Sequence, residues 1–189
     1  MRSERKERQH RQGIPLPTLP AGTRMSYSMA VTAAVLTISD KGAVGQRVDE
    51  GGPAVCELLR GIGAEILFTE IIPDEKEQIK ARLIAMSEKV DLVITTGGTG
   101  LSPRDVTPDA TLEVIEREVP GIGETMRAEG LKATRRSMLS RATAGTRGSA
   151  LIVNLPGSVK AVREGLAAIL DILPHAIEKI KGLTSDCAR

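Results

Sequence analysis

The stretch DLVITTGGTGLSPRDVTPDAT, Asp91–Thr111, runs a short apolar segment straight into Gly97, Gly98 and Gly100. A segment of that length, rich in Val, Ile and Thr and closed by glycine, is the pattern of a strand covered on both faces. Pro108 then stands at a helix first turn, where its missing N–H costs nothing. The stretch therefore reads as strand, permissive loop and helix, with Asp105 set beside the loop.

The same alternation repeats outward. Strands are expected at Ala33–Ser39 (AAVLTIS), Ala64–Ile72 (AEILFTEII) and Ala150–Pro156 (ALIVNLP). Gly52–Gly63 places Val55, Leu58, Leu59 and Ile62 at i, i+3, i+4 and i+7, one face of a helix. Pro73–Lys89 gives a second helix with Ile79, Leu83 and Met86 inward, and Thr107–Val119 a third with Leu112, Ile115 and Val119 inward. Pro120–Ser149 is less regular, with a helix around Glu124–Glu129 and a strand or hairpin near Ala142–Arg147. Ser158–Gly182 is a long helical region with Val159, Val162, Leu166, Ile169 and Leu173 inward, kinked or split by Pro174. Strands alternating with helices imply βαβ units, hence an α/β fold with a mostly parallel central sheet.

Composition narrows the function classes. The chain has 189 residues, 41% hydrophobic and 26% charged, ordinary values for one globular domain. Its formal net charge is +2, but residues 1–24 hold six Lys/Arg against two Asp/Glu, so the remainder is near neutral and offers no large basic face to nucleic acid. One Tyr, one Phe and no Trp leave little for stacking on bases. Residues 1–28, basic and interrupted by Pro15, Pro17 and Pro20, read as a disordered extension, 29–183 as the folded domain and 184–189 as a tail. No apolar run is long enough to span a membrane, and residues 1–28 lack the apolar core of a secretory signal. Cys56 and Cys187 form no C-x-x-C, so a reducing cytoplasm is expected, with Cys56 a buried helix residue.

Three strand tips carry the chemistry: Ser39-Asp40-Lys41-Gly42, the Thr96–Asp105 loop, and Asn154–Ser158. Open α/β sheets bind ligands beyond the carboxyl ends of their strands, and small residues there let backbone N–H groups approach an anion. No Gly-Lys-Ser/Thr of a P-loop is present, and Pro103 stands where a dinucleotide-binding turn needs its third glycine. His10 and His175 supply neither a Ser-His pair nor a zinc motif. Carboxylates, glycines and hydroxyls remain, an inventory suited to Mg²⁺-assisted phosphoryl or nucleotidyl transfer. Asp105 and Asp74 lead as metal ligands. Asp105 reads equally as a loop residue or cap, and Asp74 with Glu77 three residues on reads first as a capping box. Asp40 has the same strand-end placement.

The blocks TTGGTGLSPRDVTPDAT, MLSRATAGTRGSALIVNLPGS and TISDKG…GGP resemble the MogA/MoaB-type molybdopterin-binding family, over about Val31–Gly182. The longer stretches are most similar to its MogA-type adenylyltransferases. The resemblance implies a three-layer α/β/α sandwich, a homotrimer, and transfer of AMP from ATP to the terminal phosphate of molybdopterin with Mg²⁺ and release of pyrophosphate. It also implies transient contact with the molybdate-insertion enzyme. Asp74 and Asp105 would hold Mg²⁺ and orient the triphosphate. Thr96, Gly97, Gly98, Thr99 and Gly100 would cradle ATP. Ser39, Asp40, Ser102, Ser140, Asn154, Pro156, Gly157 and Ser158 would complete the nucleotide and pterin pockets, with Arg104, Arg141 and Arg147 contacting anionic groups. A non-catalytic molybdopterin carrier of the MoaB type is the alternative. The insertion-type relatives carry further domains. The family's usual Asp-x-Ser-Gly-Pro reads Asp49-Glu50-Gly51-Gly52-Pro53 here, so Gly51 supplies no hydroxyl.

Overall fold

A computed structural model describes residues 30–183. The extension expected at 1–28, the tail at 184–189, His10 and Cys187 lie outside the described residues.

The first expected strand is β1 (Thr32–Ile38), and a single turn, α1 (Asp40–Ala43), follows it. The first amphipathic helix is α2 (Gly51–Gly61), then come β2 (Glu65–Ile72), α3 (Lys76–Ser87) and β3 (Leu92–Thr96). The helix α4 (Thr107–Leu112) carries Pro108 in its first turn, as its sequence requires. It is followed by β4 (Arg117–Glu118), α5 (Pro120–Ala133), a 3₁₀ turn (Arg135–Leu139), β5 (Ala144–Arg147), β6 (Ala150–Leu155), α6 (Val159–Ala167) and α7 (Leu173–Ile180).

The strands form one six-stranded sheet in the order β2-β1-β3-β6-β5-β4. Its first four strands are parallel, and β5 and β4 are antiparallel additions at one edge. Two apolar cores cover its faces. In one, Val55 and Leu59 of α2, Val162 and Leu166 of α6 and Leu173 of α7 pack on Val35, Ile94 and Val153. In the other, Ile79 and Leu83 of α3 and Ala110 of α4 pack on Leu36, Val93 and Ile152. The expected three-layer sandwich is thus present. Its central strands β3 and β6 are buried along their whole length, which explains their largely apolar sequences, broken only by the buried Thr95, Thr96 and Asn154.

One expectation is corrected. The helix read over Thr107–Val119 stops at Leu112, which is 49% exposed, and Arg117–Glu118 instead pairs with Gly145–Thr146 as an edge strand. Bonds to β5 explain this, because Glu116 N donates to Thr146 O (2.7 Å) and Val119 N to Ala144 O (2.8 Å), after which Pro120 opens α5. The C-terminal helical region is split in two, one of the outcomes expected of Pro174, which stands in the first turn of α7. Cys56 is buried on α2, and burial pushes its thiol pKa up, as expected of a packed rather than a reactive cysteine.

Candidate active site

From β1 the chain crosses by α2 to β2 on one side, while β3 lies on the other, so the strand order reverses between β1 and β3. A ligand crevice is expected at that point, beyond the strands' carboxyl ends. A cleft of about 600 Å³ opens there.

Gly97 and Gly98 shape its floor. At Gly97 (φ +102°) a Cβ would lie 2.2 Å from the carbonyl oxygen of Ile38, so the tips of β1 and β3 meet only because no side chain intervenes. At Gly98 (φ +63°) a Cβ would lie 2.3 Å from Thr107 Oγ1 and 3.0 Å from Asp74 Oδ1. The loop after β3 therefore brings the residue after β2 and the start of α4 to one place.

The cleft gathers Ser39, Asp74, Thr96, Gly97, Gly98, Asp105, Gly157 and Ser158 from the expected set. Asp74 does not cap α3. The N-cap is Glu75, without a side-chain bond, and the capping-box reading of Asp74 with Glu77 is corrected accordingly. Instead Asp74 and Asp40 interlock: Asp40 N donates to Asp74 Oδ2 (2.8 Å), and Asp74 N donates to Asp40 Oδ1 (3.0 Å). Arg104 grips Asp40 with Nε (3.1 Å) and Nη2 (2.8 Å), and Nη2 also reaches Glu75 (2.9 Å). That guanidinium holds the Asp40 carboxyl below its ordinary pKa. Burial pushes Asp74 upward, against the bond from Asp40 N and the charge of Arg104, with the charges of Asp40 and Asp105 adding to the rise.

Asp105 closes its own loop, since Ser102 N donates to its Oδ2 (2.8 Å) and its N–H donates to Ser102 O (2.8 Å). Among the described residues no donor reaches Oδ1 of either Asp74 or Asp105, and none of the N–H groups of Gly98, Thr99 and Gly100 is spent on a protein acceptor. The described residues hold no group of three or more His, Cys, Asp or Glu suited to a metal. Two carboxylates with open oxygens and no soft donor instead fit a hard cation that takes its other ligands from water and phosphate.

The rest of the expected set supports or adjoins this site. Thr99 is buried, and its carbonyl accepts from Arg141 N (2.9 Å). Arg141 braces the same loop through Nε to Gly100 O (2.9 Å), Nη2 to Asp105 O and Nη1 to Asp109 (3.0 Å). Asn154 is fully buried, and its Nδ2 ties Thr95 Oγ1 (3.0 Å) to Thr111 Oγ1 (2.9 Å), joining β3, β6 and α4. Thr96 Oγ1 donates to Pro156 O (2.8 Å). Ser140, Pro156 and Ser158 line a second hollow of about 270 Å³ with Met126, Arg127 and Gly165, so Ser158 belongs to both. Arg147 stands away from the cleft on β5, donating to Val114 O (3.0 Å).

Arg47 and Asp49 of the connection from α1 to α2, and Gly51 at the start of α2, also line the cleft; the Asp-x-Gly-Gly-Pro motif singles out Asp49 and Gly51, but no motif points to Arg47. Asp49 Oδ1 accepts from Gly51 N (2.9 Å) and Gly52 N (3.0 Å), and its Oδ2 from Thr37 Oγ1 (2.8 Å). The start of α2 is thereby satisfied without a hydroxyl at position 51.

An open, doubly wound sheet with two carboxylates and unpaired loop amides at its switch point defines an α/β protein with a ligand crevice beyond its strand ends. Residues 34–175 match the family described as "Probable molybdopterin binding domain". The molybdopterin adenylyltransferase of Helicobacter pylori is 41% identical over 152 residues, spanning 78% of this chain and 86% of that one. The crystal structure of the molybdopterin biosynthesis enzyme MoaB of Thermus thermophilus superposes with a TM-score of 0.76 at 47% identity, over 80% of this chain and 97% of that one. The tungsten cofactor synthesizing protein MoaB of Pyrococcus furiosus does so at 0.75 and 35%, over 80% and 98%. The chain belongs to the molybdopterin-binding domain family of molybdenum cofactor biosynthesis.

Proposed function

We propose that this chain is a molybdopterin adenylyltransferase. The observation that carries the reading is that Asp74 and Asp105 share one cleft, each with an open oxygen, beside the unspent amides of Gly98, Thr99 and Gly100. In the reaction an oxygen of molybdopterin's terminal phosphate forms a bond to the α-phosphorus of ATP. The bond from that phosphorus to the bridging oxygen breaks, and pyrophosphate leaves with the electron pair. The attacking phosphate is largely ionised near pH 7, its second pKa being about 6, so no general base is required. That suits a cleft whose described lining residues include no histidine.

The loop amides donate to non-bridging phosphate oxygens, already aimed before the ligand arrives. Asp74 and Asp105 would hold Mg²⁺, which when bound neutralises phosphate charge. Asp40 and Arg104 fix Asp74 by contacts within the protein. Arg141 fixes the loop that bears Asp105. The second hollow beyond Ser158 is the place for the pterin, which leaves its phosphate directed at the shared wall.

Two further parts of the reading concern assembly and location. The edge strand β2 exposes Leu67, Phe68 and Ile71, apolar side chains suited to burial in a homotrimer. No helix among the described residues is long and apolar enough to cross a membrane, in keeping with a cytoplasmic enzyme that hands its adenylate to the molybdate-insertion enzyme.

The test is release of pyrophosphate from ATP in the presence of molybdopterin and Mg²⁺. Asp105→Asn should lower kcat at least about a hundredfold while molybdopterin binding persists. Binding of molybdopterin by the wild type without any pyrophosphate release would favour a carrier and sink the reading.

A further inference from the structure

We infer that Arg47 is the cationic contact for the polyphosphate of the nucleotide in this cleft, an inference that rests on the adenylyl-transfer reading. The cleft is short of positive charge. Its lining includes Asp49, Glu50, Asp74 and Asp105, and Arg47 is the single Lys or Arg among its described lining residues. A nucleoside triphosphate carries about four negative charges, and a divalent cation held by two carboxylates contributes no net charge of its own. A fixed protein cation is therefore needed for the phosphates.

The arginines that sequence motifs nominate are already committed. Arg104 is bound to Asp40 and Glu75, Arg141 to Gly100 O, Asp105 O and Asp109, and Arg147 to Val114 O. Arg47 has no hydrogen bond or ion pair among the described residues, so all its donors are available to a ligand. Its backbone is nevertheless tethered. Gly45 N donates to Gly42 O (3.0 Å) and Gln46 N to Lys41 O (2.8 Å) on one side, and Asp49 is clasped by Thr37, Gly51 and Gly52 on the other. The segment thus holds Arg47 at the cleft while leaving its guanidinium free, the arrangement that suits a planar, five-donor group meeting phosphate oxygens. Phosphate oxygens occur on both substrates. The nucleotide is the one assigned here because it brings the larger uncompensated charge.

The experiment titrates the full chain, with Mg²⁺ present, with ATP, with inorganic tripolyphosphate and with adenosine. Arg47→Ala should weaken ATP and tripolyphosphate about tenfold and reduce the salt dependence of both, leaving adenosine unchanged. Arg47→Lys should recover part of the loss. In turnover, KM for ATP should rise by the same factor and KM for molybdopterin should not. Because Arg47 is exposed and unpaired, its melting temperature should match the wild type, so the loss cannot be put down to unfolding. Wild-type affinity for ATP and tripolyphosphate in Arg47→Ala, or a rise confined to the KM for molybdopterin, would overturn the assignment. A wild type that binds ATP in an Arg47-dependent way but releases no pyrophosphate upholds the contact and overturns adenylyl transfer. A wild type that binds neither ATP nor tripolyphosphate overturns both.

Discussion

The two walls of the cleft are built on opposite principles. The wall after β3 is bonded at nearly every step: Gly97 N to Leu155 O, Thr107 N to Gly98 O, Arg141 to the carbonyls of Thr99, Gly100 and Asp105, and Arg104 to Asp40 and Glu75. The wall between α1 and α2 is fixed only at its ends, and between them Val44 and Val48 stand 67% and 82% exposed on either side of Arg47. On the proposed adenylyl-transfer reading, the difference divides the labour of recognition. Amides and carboxylates that must meet developing charge are held in advance, which spares reorganisation during the reaction. A long cation that needs only to find phosphate oxygens tolerates freedom, at some cost in ordering when the ligand binds.

The sharpest way to break this contrast is Gly97→Ala. A Cβ there would enter at 2.2 Å from a backbone carbonyl, at a φ of +102° that side chains rarely adopt. Neither the tip of β1 nor that of β3 can retreat without opening the buried sheet between them. A loss of about 3 kcal/mol or more is expected, read as a lower urea midpoint at unchanged m-value. A variant within about 0.5 kcal/mol of wild type would mean that the wall is not rigid.

Next in size is Arg141→Ala, set beside Arg47→Ala. Removing Arg141 strips partners from the part-buried carbonyls of Gly100 and Asp105 and from Asp109, with an expected loss of about 2 kcal/mol and a raised KM for ATP. The same substitution at Arg47 should leave stability alone. Equal melting temperatures for the two variants would erase the distinction between the walls.

The braced wall was legible in the sequence and the open one was not, for a physical reason. Val93, Ile94 and the glycines after them announce a buried strand and a close backbone approach because few residues tolerate either environment. The expected pair Asp74 and Asp105 came together because both follow parallel strands of one sheet. What the alternation of strands and helices could not reveal was where each arginine spends its donors. Arg104, Arg141 and Arg147 stand near motif residues, yet contacts from distant elements consume them. Arg47 sits in a stretch with no period, where local sequence says little about which way a side chain faces. The short α4 illustrates a similar limit, since its end depends on an edge-strand pairing with β5, about thirty residues away in sequence.

A small expected effect on stability, and the most discriminating one on function, belongs to Asp74→Asn. Burial raises the pKa of Asp74 above 3.8, with the charges of Asp40 and Asp105 adding to the rise and Arg104 opposing it. A raised acid pKa means the folded state holds its proton more tightly than the unfolded chain. The contribution of Asp74 is therefore most favourable below 3.8, and it is lost as pH rises through the folded value. At neutral pH the ionised side chain is a burden on the cation-free protein, and Asn, which can still accept from Asp40 N, should leave stability equal or higher, within about 1 kcal/mol. Function runs the other way, because a cation site needs the ionised form and binding draws the pKa down. Mg²⁺ should raise the wild-type melting temperature at pH 7, lose that effect on acidification above the range of an ordinary aspartate, and do nothing for Asp74→Asn. If Mg²⁺ stabilises the variant as much as the wild type, Asp74 does not hold the cation, and its raised pKa reflects packing alone.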